Sequence, residues 1–67
     1  MVKDQLALRI RAFRKLKGFT QQEFANELSI SVAVLGAIER GARTADDRML
    51  DRIASALHID RSELMEG

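Results

Sequence analysis

The sequence predicts an all-α fold: one domain over residues 1–67, built from five short helices. Three observations carry this. Apolar residues recur at helical rather than alternating spacing, so each run has one face to bury. Each run is bracketed by its own start and stop signals. The 67-residue chain has no proline, and only two to five residues separate one run from the next, which forces neighbouring helices together.

The first helix is expected over about 4–17. Leu6, Ile10 and Phe13 fall at i, i+4 and i+7, with Arg9, Arg11, Lys15 and Lys17 mostly off that stripe. Basic residues in the last turn suit the helix dipole, and Gly18 supplies a left-handed stop. Thr20-Gln21-Gln22-Glu23 reads as a capping box. It opens helix two, about 21–28, with Phe24, Ala25 and Leu28 as the inner face and Phe19 as a staple. Ser29-Ile30-Ser31 is a three-residue turn that points Ile30 inward. Ser31 caps helix three, about 32–40, which buries Leu35 and Ile38 and stops at Gly41. After the loop 42–45, Asp46 caps helix four, about 47–57, with Met49, Leu50, Ile53, Ala54 and Leu57 inward. His58 is expected to reverse the chain, because His tolerates positive φ better than most residues. Asp60-Arg61-Ser62-Glu63 is a second cap-like box before helix five, 61–65, with Leu64 inward. A compact domain of this length should have a radius of gyration of about 11 Å and measure about 28 Å across.

With 46% hydrophobic and 31% charged residues, the chain should fold. It has no Cys and a single His, His58, which excludes a disulfide framework and a Cys/His zinc site; no metal or other cofactor is expected. Ser/His/Asp catalysis is nearly excluded, since His58 would be the only imidazole base. A domain this small is also expected to lack room for a substrate pocket of about 300 Å³, so an enzyme is not expected. No apolar run of 18 residues and no signal-peptide pattern occurs, and the expectation is a soluble cytoplasmic protein with no membrane partner. The net charge of +1 conceals an asymmetry. Residues 1–22 carry Lys3, Arg9, Arg11, Arg14, Lys15 and Lys17 against Asp4 alone, a net +5. Residues 23–43 come to −1 and residues 44–67 to −3. A basic front suits a polyanion, and an acidic tail would be kept away from it.

Helix two, the tight turn and helix three span Gln21 to Arg40. Two short helices joined by three or four residues form a helix-turn-helix, whose second helix can lie in the DNA major groove. Its geometry needs a small residue early in the first helix, which Ala25 supplies. It also needs apolar residues at the turn and along the second helix, here Ile30, Leu35 and Ile38. Any αα-hairpin buries a similar set.

The wider string is more specific. Its landmarks are Ile10, Arg14, Lys17-Gly18-Phe19-Thr20-Gln21, Glu23, Phe24, Ala25, Leu28, Ser31, Leu35, Ile38-Glu39-Arg40-Gly41, Arg43 and Ile53-Ala54-Ser55-Ala56-Leu57. On these, from Leu6 to Met65, the chain resembles the lambda-repressor-like, Cro/repressor-type (XRE) helix-turn-helix family. The resemblance implies a five-helix DNA-binding domain and a bacterial or phage-encoded, nucleoid-associated transcriptional regulator. Such a repressor or controller protein would bind a palindromic operator in double-stranded DNA as a homodimer. Gln21 would then meet a phosphate together with the N–H groups of its helix end. Thr20, Arg11, Arg40 and Arg43 would be further phosphate contacts, with Arg43 near the minor groove. Arg14 and Glu39 match a buried or half-buried ion pair linking helices one and three. Leu64 and Met65 would form the dimer face.

The sequence departs from the family where bases are read. Those positions hold Ser31, Val32, Ala33, Gly36 and Ala37, whereas bidentate readout of guanine needs Arg or Lys and that of adenine needs Asn or Gln. What remains is methyl contact from Val32, Ala33 and Ala37, one hydroxyl from Ser31, and close backbone approach at Gly36. Two functions follow. One is a DNA reader relying on methyl contacts, flanking arginines and DNA shape, with strong salt dependence. The other is a protein-interaction module of antirepressor or antitoxin type, docking through Val32, Ala33 and Val34. The basic first helix, Gln21 and the Arg40/Arg43 pair favour DNA. Asp47 stands where the family often has an apolar residue, so the start of helix four is expected to pack differently.

Overall fold

In the computed structural model, which describes residues 2–66 and the side chains of 5–65, the chain forms five helices. They are α1 (Val2–Leu16), α2 (Gln21–Leu28), α3 (Val32–Glu39), α4 (Asp47–Leu57) and α5 (Arg61–Glu66). The described residues contain no strand. Local chemistry sets most of the boundaries. The Thr20 hydroxyl accepts from the Glu23 N–H while the Thr20 N–H donates to the Glu23 carboxylate, so the capping box is closed in both directions. Ser31 and Asp46 each accept the N–H of the residue three further on, Val34 and Met49. At the α5 start, the Asp60 N–H donates to the Glu63 carboxylate.

The helix ends share one device. Gly18, Ser29, Gly41 and His58 all have positive φ, and each is followed by an N–H that reaches back five residues. Phe19 bonds the Arg14 carbonyl, Ile30 that of Ala25, Ala42 that of Ala37, and Ile59 that of Ala54. These are Schellman closures, and they satisfy carbonyls the helix itself leaves over. The reversal turns Phe19, Ile30 and Ile59 back against the core. It also explains why α1 and α3 stop one residue short of the expected Lys17 and Arg40, whose positions belong to the closing turn.

The core gathers Ile10, Phe24, Leu28, Leu35, Ile53, Leu57 and Leu64, all under 2% exposed. Phe19 packs on Phe24 with ring centroids 5.3 Å apart, the staple across the α2 cap. The radius of gyration is 10.4 Å and the extents are 25 × 24 × 21 Å, slightly tighter than the length alone predicts. Asp47 does pack as a polar residue. It lies in solvent and pairs with Arg61 at 2.7 Å, while Asp51 pairs with Arg61 at 3.1 Å. The hydrogen bond that Arg61 donates to Asp47, and secondarily the one to Asp51, raises the pKa of that guanidinium, so α5 is pinned to α4 by a permanently charged group. Arg9 donates to the Met65 carbonyl at 2.6 Å and ties α5 to α1. Arg52 reaches the Leu28 carbonyl and ties α4 to the end of α2.

Candidate nucleic-acid interface

The interface is organised by a buried charge pair. Arg14 on α1 and Glu39 on α3 are each 6% exposed. Arg14 Nε meets Glu39 Oε2 at 2.6 Å and Nη2 meets Oε1 at 3.3 Å. The third arm of the guanidinium, Nη1, donates to the Phe19 carbonyl at 2.8 Å. Gln21 Nε2 completes the set by donating to Glu39 Oε1 at 3.1 Å. Among the described residues, no buried side-chain polar atom lacks a partner, as a charge in a low-dielectric interior requires. One network thus fixes the end of α1, the start of α2 and the end of α3 relative to one another.

Above it lies an open cleft of about 510 Å³ lined by Arg11, Arg14, Thr20, Gln21, Gly36, Glu39 and Arg40. Its size exceeds what the sequence reading allows, because it is a surface furrow between helix ends rather than a hole in the core. Arg14 and Glu39 neutralise each other, which leaves Arg11 and Arg40 as the charge of the cleft. The Gln21 and Gln22 N–H groups, in the first turn of α2, have no intrahelical acceptor and add the positive end of a helix dipole. The structure therefore brings Arg11, Thr20, Gln21 and Arg40 together. The sequence reading gave the whole Gln21 side chain to a phosphate. In fact one of its two amide hydrogens is spent on Glu39, and the other remains.

Arg43 lies elsewhere. It lines a smaller, largely apolar groove of about 240 Å³ on the other flank of α3, with Ser31, Val34 and Met49. Ser31 is exposed; its oxygen caps α3, and its hydroxyl hydrogen is left to donate. Between the two clefts runs the outward face of α3, where Ala33 is exposed and Val32 and Ala37 are half-buried. Gly36 corrects an expectation. It is buried, and a Cβ built on it would stand 3.1 Å from Arg40 Nη1. Arg40 thus lies across the glycine, and the bare backbone there is not open to a base as the structure stands. The signal was a glycine in the helix four residues before the arginine that caps its end, a spacing that puts the two on one face. Leu64 is a second correction: it is 0% exposed, part of the monomer core, and only Met65 of the expected dimer pair reaches solvent. Among the described residues, the one side chain that the six-residue α5 buries is spent on its own domain.

Residues 10–64 match the helix-turn-helix family HTH_3. The chain belongs to that family. It is 54% identical over 56 residues to the HTH-type transcriptional regulator YazB of Bacillus subtilis (strain 168), covering 84% of this chain and 81% of that protein. Among solved structures it resembles the clp gene regulator ClgR of C. glutamicum, with a TM-score of 0.93 and 26% identity over 98% of this chain and 85% of that one. It also resembles the restriction-modification controller protein C.AhdI of Aeromonas hydrophila. That match has a TM-score of 0.88 and 29% identity, over 92% of this chain and 94% of the other. This HTH_3 protein is accordingly a transcriptional regulator with a helix-turn-helix DNA-binding fold. Among the described residues, no helix is long and apolar enough to cross a membrane.

Proposed function

We propose that this HTH_3 domain binds an inverted-repeat operator as a homodimer, with α3 in the major groove. The observation that carries the reading is the polar cleft beside α3. There Arg11 and Arg40, neither in an ion pair among the described residues, meet Thr20, Gln21 and the N-terminus of α2. This is a seat for one phosphate of the DNA backbone. Arg43 and Ser31, across α3, would hold the opposite strand. An α-helix fits between two such strands in a major groove about 12 Å wide. Ala33, with Val32 and Ala37 beside it, would touch thymine methyls, while Arg40 stays across Gly36 in the seat. With no bidentate base reader on α3, discrimination rests on methyl contact and DNA shape.

The test is binding to inverted-repeat and random duplexes across a salt series. A dimer that neutralises about six phosphates gives a slope of log K against log[salt] near −5. Arg40→Ala should weaken all sequences alike and flatten that slope by about 2 per dimer. Ala33→Gln should shift base preference. No binding at low salt refutes the proposal. The protein-docking alternative is less well supported, because the exposed large apolar side chains of the described residues are Leu8, Leu16 and Met65, none of them on α3.

A further inference from the structure

Leu8 and Leu16 are 61% and 77% exposed. Ala12, between them on α1, is exposed as well. The spacing i, i+4, i+8 puts all three on one face of the helix. At 100° per residue that face points away from Ala7, Ile10 and Arg14, which α1 buries. Among the described residues, neither leucine is part of the core or packed against it.

We infer that the Leu8–Ala12–Leu16 stripe is the contact between two copies of the chain, crossing antiparallel at Ala12, and that it forms on DNA. The inference rests on the DNA reading above. The pattern is self-complementary. A two-fold axis at Ala12 sets Leu8 against the partner's Leu16 and Leu16 against the partner's Leu8, with the smallest side chain where the backbones come closest, as an isologous contact requires. Charge placement selects the same arrangement. Arg11 and Lys15 border one edge of the stripe, and Arg11 also lines the phosphate seat, so that edge looks toward the DNA. A two-fold axis pointing at the duplex carries both edges and both seats to one side, the symmetry of inverted half-sites.

The size of the face supplies the coupling to DNA. A 15-residue helix is about 22 Å long and about 10 Å wide, so it offers roughly 220 Å² against the roughly 800 Å² per partner of a stable complex. Four cations at the shared edge repel across it until the phosphates seated on the two Arg11 side chains offset that repulsion. Adjacent half-sites hold two copies at an effective concentration in the millimolar range, where a small contact suffices.

The chain has no cysteine, so Ala12→Cys introduces a single thiol. Helix axes 8–10 Å apart, with each Cα about 2.3 Å off its axis, leave up to about 5 Å between the two Cα atoms, within disulfide reach. On a duplex with two inverted half-sites, mild oxidation should link Ala12→Cys at least tenfold more than without DNA. Leu8→Gln and Leu16→Gln should each abolish cooperative filling of the second half-site while changing single half-site affinity less than twofold. Linkage through Met65→Cys instead of Ala12→Cys would overturn the contact in favour of an α5 interface. Unchanged cooperativity in both glutamine variants would overturn it too, as would duplex binding with Ala12→Cys unlinked, whether the stripe is bare or covered by another protein. If the wild-type chain binds no duplex at low salt, the DNA reading itself fails and takes the on-DNA contact with it, a result distinct from duplex binding without linkage.

Discussion

Removing the Glu39 carboxylate while leaving Arg14 in place should take away most of the stability of this domain. The Arg14 and Glu39 side chains are 8% and 3% exposed. In Glu39→Leu the guanidinium would keep only the Phe19 carbonyl, losing contacts at 2.6 and 3.3 Å. Stranding one member of a buried pair costs about 3–5 kcal/mol. A domain of this length holds about 3–10 kcal/mol in total; at a mid-range value of about 6 kcal/mol the loss is half or more, and toward the lower end of the range the single variant is unfolded. Replacing both partners, as in Arg14→Met with Glu39→Leu, leaves no buried charge and should return to within about 1 kcal/mol of wild type, or exceed it. Urea denaturation followed by far-ultraviolet circular dichroism on wild type, both singles and the double measures every corner of this cycle. A Glu39→Leu loss below about 1 kcal/mol, or a double no better than the worse single, refutes the reasoning. The double carries a functional consequence as well. Gln21 loses the acceptor that holds its amide, so DNA affinity should fall in a variant whose fold survives. Unchanged affinity would mean that Glu39 does not set the Gln21 orientation.

Two smaller changes separate backbone strain from binding. Ser29 has φ 58°, a conformation that costs a non-glycine residue about 1–2 kcal/mol. Ser29→Gly removes that cost but frees the unfolded chain by about 0.4–1 kcal/mol. The expected net gain is about 0.5 kcal/mol, or roughly 2–4 °C in Tm by differential scanning calorimetry. A lower Tm would show that the Ser29 side chain contributes more than its backbone conformation costs. Gly36→Ala should stabilise α3 by about 0.5–1 kcal/mol, yet its Cβ would stand 3.1 Å from Arg40 Nη1 and push the guanidinium out of the cleft. Higher Tm with severalfold weaker DNA binding is expected, and a variant improved in both would remove Arg40 from the seat.

What the sequence made legible follows from the range of the interactions. Thr20, Ser31 and Asp46 cap their helices through bonds to residues three positions on, so a local pattern is enough to find them. His58 was also expected at positive φ, as found. Ser29 adopts the same conformation with no residue preference to announce it. The tertiary need to turn Ile30 onto the core imposes it, and that need is invisible in a three-residue window. The Arg14–Glu39 pair spans 25 positions, and only the family resemblance suggested it. Leu64 fits both a core position and a dimer face in sequence, and one buried side chain cannot serve both. Leu8 and Leu16 form a second apolar stripe on α1 beside the one through Leu6, Ile10 and Phe13, and helical spacing alone does not tell which of the two the core covers.

The front-loaded charge needs the same spatial correction, and it bears on how tightly DNA can be held. Of the basic residues before Gln21, Arg9 is committed to the Met65 carbonyl and Arg14 to Glu39. Lys17 lies in a separate surface depression with Glu23 and Glu27, away from the seat. Arg11 remains at the phosphate cleft, joined by Arg40 from a segment of net negative charge, and Arg43 stands across α3. The electrostatic face is thus assembled from two stretches of chain, and the +5 of residues 1–22 overstates it. Three such arginines per copy make about six phosphate contacts in a dimer, hence a salt slope near −5. If all six basic residues of the front third faced the duplex in both copies beside Arg40 and Arg43, the slope would approach about −14, against about −11 with Arg9 and Arg14 left out. A measured slope steeper than about −11 would mean that Arg9 and Arg14 leave their structural partners on binding, and that the buried network is a switch rather than a frame.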